Sequence, residues 1–160
     1  MTNSIFDILR NPAAIAGLLA WFLAQGLKPL FNYFSAHKWD WMLIISPGGM
    51  PSSHSALMTA VTISIGMTVG WGTPLFALSL AISGVVVYDA MGVRRQAGIQ
   101  AKRINKLVEE VFNKTASTEY VIENLREIIG HSPAEAVGGV AFGMTIALIV
   151  CQLMTGIPFG

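Results

Sequence analysis

The chain has 160 residues, which suits one domain, and it is 53% hydrophobic but only 12% charged, against about 25% charged in an ordinary soluble domain. That balance argues against a water-solvated globule and makes lipid the expected solvent. The net charge of +1 is assembled from segregated charges, which gives no basis for a nucleic-acid partner, and Cys151 stands alone in an apolar run, which removes a disulfide framework or a cysteine zinc site.

In chain order, "MTNSIFDILRNPAAIAGLLAWFLAQG" has a short apolar core after Arg10 and looks at first like a signal peptide. Asp7 interrupts the positive leader and no clear small-x-small cleavage site follows, so an uncleaved first span is expected. Four apolar segments are predicted, at about 13–34 (interrupted by Lys28 and Pro29), 55–71, 74–91 and 133–154. Each approaches the roughly 20 residues that cross a bilayer core, where only helices satisfy their own backbone in so short a length. Gly66 with Gly70, and Gly139 with Gly143, have the small-x-x-x-small spacing that lets helices approach closely.

Between the third and fourth segments lies nearly all the charge. Ile104, Leu107, Val108, Val111 and Phe112 recur at helical spacing, and so do Val121, Ile122, Leu125, Ile128 and Ile129. These predict two amphipathic helices on the membrane surface or over the bundle. The expected fold is therefore all-α: a single membrane-embedded domain over 1–160, with about four transmembrane helices and two amphipathic surface helices. Four spans put the 38–54 loop and the 92–131 region on one side. Eight lysines and arginines (Lys38, Arg94, Arg95, Lys102, Arg103, Lys106, Lys114 and Arg126) lie there, against Arg10 alone on the other. The positive-inside rule then places the loop side in the cytoplasm, at the cell inner membrane.

The same side gathers the polar residues. "SPGGMPSSHSA" brings Gly48, Gly49, Ser52, Ser53 and His54 to the start of the second segment. Asp89, Arg94 and Arg95 close the third, His131 and Glu135 open the fourth, and Lys28 sits toward that end of the first. Plainer roles exist for each: Ser53 as a helix cap with Gly48, Gly49 and Pro51 shaping the turn, "SPAE" as a capping box, and the arginines as interfacial anchors. Ionisable groups within a span cost roughly 2.5–3.5 kcal/mol, so they tend to be paired or functional. Two histidines and several cations with few carboxylates suit an anion, and phosphoryl transfer relies on positioning and neutralising phosphoryl oxygens. One histidine can attack phosphorus while a second protonates the leaving oxygen. A carboxylate one helical turn beyond the attacking histidine can hold its tautomer. No acidic cluster suggests a catalytic metal, and no cofactor is expected.

"GGMPSSHSA", "YDAMGVRRQAGIQA" and "GHSPAE" together resemble the divergent branch of the type 2 phosphatidic acid phosphatase superfamily, which also includes the vanadium-dependent haloperoxidases. The resemblance runs over nearly the whole chain, in order. The parent's motifs are Lys-x6-Arg-Pro, Pro-Ser-Gly-His and Ser-Arg-x5-His-x3-Asp. By that resemblance, Pro51-Ser52-Ser53-His54 stands for the second motif, implying that His54 protonates the leaving group. His131 with Glu135 matches the His-x3-Asp half of the third, implying a His131 nucleophile that forms a phosphohistidine and is oriented by Glu135. There are departures. Arg126 lies only five residues before His131, so Arg94 and Arg95 are the expected phosphate-binding cations, with Ser52 and Ser53 beside them and Lys28 for the first motif's lysine. Asp89, Gly48 and Gly49 are expected to support the site.

The resemblance implies a metal-independent membrane phosphatase acting on a phospholipid or isoprenoid phosphate or diphosphate. A cytoplasmic site favours a lipid made on that leaflet, such as phosphatidylglycerophosphate. The alternative is a non-catalytic membrane protein that binds an anionic headgroup in transport or as a scaffold, with a haloperoxidase as a remote third reading.

Overall fold

Asn11 starts the first helix: its side-chain oxygen accepts from the N–H groups of Ala13 and Ala14, at 3.0 and 3.2 Å, and Pro12 occupies the first helical position. The computed structural model describes residues 5–46, 48–114, 125 and 131–156, with the side chains of residues 5, 93, 94 and 111–114 outside that description. Helix α1, Pro12–Ala36, runs on through Lys28 and Pro29, so the expected interruption there is absent. Proline removes one backbone donor, a loss that membrane helices tolerate where neighbouring groups re-satisfy the freed carbonyl. His37 ends the helix in the left-handed region, φ 51°, with its N–H donating to the Tyr33 carbonyl at 3.0 Å.

Helix α2, Ser53–Val69, begins one residue earlier than a Ser53 cap would place it, because its cap is Ser52. It is 17 residues long, about 25 Å at 1.5 Å per residue, against a hydrocarbon core of about 30 Å. Gly70, at φ 116°, closes it. Thr73 caps α3, Pro74–Met91. Only Gly92 separates α3 from α4, Val93–Lys114, which is longer than the apolar repeat had marked out and continues from the end of α3. The second expected surface helix, 121–129, lies outside the described residues except for Leu125. The backbone of Leu125 is held by Asn105, whose Oδ1 accepts from its N–H at 3.0 Å while Nδ2 donates to its carbonyl at 2.9 Å.

Ser132 caps α5, Pro133–Thr155, in the expected capping box: Glu135 N–H donates to Ser132 Oγ at 3.3 Å, and Ser132 N–H donates to Glu135 Oε2 at 3.1 Å. Among the described residues there is no strand. Three helices, α1, α5 and the one beginning at Pro74, are long and apolar enough to cross a membrane, and α2 is a shorter apolar helix. The protein is an all-α integral membrane bundle.

Small residues hold the bundle together. Ala16, Ala20 and Ala24 recur every four residues on one face of α1, against Ala56 and Ala60 of α2 and Ile146, Ala147 and Val150 of α5. Gly139 and Gly143 do what their spacing suggested. A Cβ at Gly143 would collide with the Ala56 carbonyl oxygen, and one at Gly139 with that of Ser52, so backbone packs directly on backbone. Gly66 differs from expectation: its missing side chain makes room for the Trp71 ring in the following turn, not for a neighbouring helix. Between α2 and α3 the contact is polar. Thr62 Oγ1 and Ser83 Oγ lie 2.7 Å apart, and Ser83 Oγ donates to the Met58 carbonyl at 3.0 Å. In a membrane such bonds contribute about 1 kcal/mol each.

Two backbone bonds place the site. His131 N–H donates to the Ala90 carbonyl at 2.9 Å, tying the start of α5 to the end of α3. Ser52 N–H donates to the Glu135 carbonyl at 3.0 Å, tying the start of α2 to the first turn of α5. The helix ends that carry the polar residues therefore meet at one end of the bundle, while the 70–73 turn and the end of α5 lie at the other.

Candidate functional site

The stripe of Ala16, Ala20 and Ala24 on α1 continues one turn later with Lys28, so this lysine points into the bundle and is 1% exposed. Its ammonium donates to the Ser46 carbonyl at 2.8 Å, and an ammonium has three donors, so one bond does not exhaust it. The Glu135 carboxylate attracts it through space. Gly49, at φ 92°, lies over its stem: a Cβ there would sit 3.7 Å from Lys28 Cδ, and the left-handed conformation already disfavours one. Gly48 is buried in the same turn, with its N–H donating to Ser46 Oγ at 3.3 Å.

At the start of α5, His131 is 2% exposed. Its Nδ1 lies 3.1 Å from Glu135 Oε2, the oxygen that also accepts from the Ser132 N–H. A carboxylate only accepts, so Nδ1 carries a proton toward Glu135, and in the tautomer this bond selects the lone pair is at Nε2. That Nε2 atom is buried and has no hydrogen-bond partner among the described residues. Ser53 is in the same condition: its residue is 1% exposed and its hydroxyl has no partner among them. Because Ser52 takes the capping role, accepting from Ser55 N–H at 3.3 Å and from Ser55 Oγ at 3.0 Å, the Ser53 hydroxyl is not used in starting the helix. Leaving buried polar groups unmade costs about 1–3 kcal/mol each, and such groups call for an explanation. These buried groups, the His131 imidazole, the Ser53 hydroxyl and the Lys28 ammonium, belong to parts of α5, α2 and α1 that are drawn together by the Ser52–Glu135 backbone bond and by the attraction between Glu135 and Lys28.

The other sequence-marked residues lie differently. His54 follows Ser53 by about 100° around α2 and its side chain is exposed. Asp89 is half-buried in the last turn of α3, Arg95 is exposed on α4, and the Arg94 side chain lies outside the described residues. Of the sequence-marked residues, the structure therefore brings Lys28, Ser53, His131 and Glu135 to one end of the bundle in buried or part-buried positions, with Ser52, Gly48 and Gly49 in the adjoining turns. Sequence reasoning passed over Gln25, whose Nε2 donates to the Ile44 carbonyl at 2.8 Å and whose Oε1 is buried and unpartnered among the described residues. The signal was available: Gln25 is a polar residue in an apolar segment, one helical turn before Lys28. Among the described residues there is no group of three metal-ligating side chains.

Lys28→Met keeps the stem and removes the donor to Ser46. It is expected to lower stability by about 1–3 kcal/mol, the cost of a carbonyl left unpaired, read as a lower midpoint in thermal unfolding in detergent.

The family model described as "Divergent PAP2 family" matches residues 9–146. Among curated proteins, the chain is 37% identical over 153 residues to the "Uncharacterized membrane protein YuiD" of Bacillus subtilis (strain 168), covering 90% of this chain and 96% of that protein. No solved structure matches.

Proposed function

The chain belongs to the Divergent PAP2 family, and from that membership we propose that it is a membrane phosphatase that hydrolyses a lipid phosphate through a phosphohistidine. The observation that carries this reading is the buried Nε2 of His131, which has no hydrogen-bond partner among the described residues and whose Nδ1 is bonded to Glu135. In the proposed reaction the Nε2 lone pair attacks phosphorus and the P–O ester bond breaks. His54 gives its proton to the departing alkoxide, and water then hydrolyses the phosphohistidine to release inorganic phosphate. Glu135 keeps Nδ1 protonated and stabilises the imidazolium that forms. Lys28 and the Ser53 hydroxyl neutralise phosphoryl oxygens as charge spreads over them, and Arg94 and Arg95 attract the headgroup from the exposed helix α4.

The charge distribution favours a cytoplasm-facing site and hence a lipid phosphate present on that leaflet, phosphatidylglycerophosphate among them. Proteoliposomes supplied with phosphatidate, phosphatidylglycerophosphate or an isoprenoid diphosphate, each labelled in the terminal phosphate, test it. Release of inorganic phosphate with an acid-labile, base-stable label on the protein is expected. Binding without release would instead support an anionic-headgroup binder.

A further inference from the structure

The segment joining α1 to α2 is folded back along α1 by a row of side chains on one face. Gln25, Lys28 and Asn32, at i, i+3 and i+7, donate to the carbonyls of Ile44, Ser46 and Lys38 at 2.8, 2.8 and 2.6 Å. Within the segment, Asp40 accepts from the Met42 N–H at 2.9 Å and caps a 3₁₀ turn, Trp41–Ile44. The N–H groups of Ile45 and Ser46 donate to the carbonyls of Met42 and Leu43, both at 3.2 Å. Much of the backbone of this loop is thus satisfied by protein. Its side chains do the opposite: Trp39, Trp41, Met42, Ile44 and Ile45 are all exposed, Trp41 at 67% and Ile45 at 75%.

A loop that faces water turns polar side chains outward and lets water bond its backbone. This one turns large apolar side chains outward and bonds the N–H groups of Met42, Leu43, Ile45 and Ser46 to protein. It therefore suits the membrane interface, since irregular backbone open to lipid does not occur within the hydrocarbon itself. It is also continuous with the lipid-facing surface of α1. The Tyr33 ring packs edge-on against Trp39 at 5.9 Å and Trp39 against Trp41 at 5.2 Å, beside the exposed Phe31 and Phe34. Clustered tryptophans and tyrosine at a helix end mark the headgroup boundary. We propose that residues 39–45 are seated at the boundary between headgroups and acyl chains, with Trp41, Met42, Ile44 and Ile45 dipping among the upper lipid chains beside Lys28 and the exposed Asp40 turned to the headgroups. The proposal does not depend on the phosphatase reading.

The test is depth-resolved quenching of Trp41 fluorescence. With Trp21→Phe, Trp39→Phe and Trp71→Phe, Trp41 is the remaining indole. In nanodiscs whose lipids are brominated near the top of the acyl chain, its emission is expected to fall by about half or more, with little quenching by aqueous iodide. Free access to iodide without bromolipid quenching overturns the proposal, and so does shielding from both quenchers, which would indicate a protein cover such as a second copy. A second measurement guards against loss of fold in the triple variant. In a Cys151→Ser background, Ile45→Cys is expected to react with a water-soluble maleimide at least about tenfold more slowly than Gln100→Cys on the exposed face of α4. Equal rates overturn the seating.

Discussion

His131→Ala is expected to lower phosphate release at least about a thousandfold and to abolish the covalent phosphate label, because no other described side chain offers a buried lone pair in the same position. The substitution separates chemistry from folding unusually well. The bond that ties this position to α3 runs from the His131 backbone N–H to the Ala90 carbonyl, and alanine keeps it. The capping box also survives, since it joins Ser132 to Glu135. The converse change is Ser132→Ala, which removes the side-chain cap and is expected to cost about 1 kcal/mol of stability while leaving the imidazole and its carboxylate in place. Phosphate release and thermal midpoints measured on both variants distinguish the roles. A His131→Ala protein that is destabilised yet fully active would end the phosphohistidine proposal.

The second large effect is mechanical. Gly143→Leu is expected to separate α2 from α5, because even a Cβ at this position would overlap the Ala56 carbonyl oxygen and lie 2.9 Å from Ala56 Cα and C, all of them backbone atoms that cannot rotate away. Overpacking a close-packed site costs about 1–3 kcal/mol or more, and the branched side chain of leucine extends well beyond its Cβ. Gly26 provides the control: a Cβ there meets nothing within 4 Å, so Gly26→Ala is expected to be neutral or to stabilise by up to about 1 kcal/mol. Unfolding in mixed micelles, followed by loss of helix–helix contact, measures both. Equal behaviour of the two variants would mean that the α2–α5 contact does not carry the bundle.

Hydropathy and helix-stop chemistry made the scaffold legible. The third span was read at its observed bounds, Pro74–Met91, because Thr73, Pro74 and Gly92 punctuate it. The start of α5 was legible for the same reason, and "SPAE" folds as the capping box it spells. The pairing of His131 with Glu135 was anticipated from their four-residue spacing, although His131 lies just before the Ser132 cap and Glu135 reaches back to it from the first turn of α5. What escaped were contacts made by backbone carbonyls, which carry no signature in residue identity. The bond from Lys28 to Ser46 and those from Gln25 and Asn32 to the same loop are of this kind. The choice between Ser52 and Ser53 as the cap of α2 was equally hidden. Both serines can cap, and the bond from Ser52 N–H to the Glu135 carbonyl fixes where the chain enters the helix. That one-residue difference leaves the buried Ser53 hydroxyl without a partner among the described residues.

Helix α2 has only 17 residues, whereas α1 and α5 have 25 and 23. A deficit of several ångströms relative to an average hydrocarbon layer is met by thinning of the bilayer, by flanking residues that reach to the interface, or by association with other helices. Host membranes with shorter chains need less of any of these adjustments, so the thickness of the surrounding lipid acts on the end of the bundle where Ser52 and Ser53 lie.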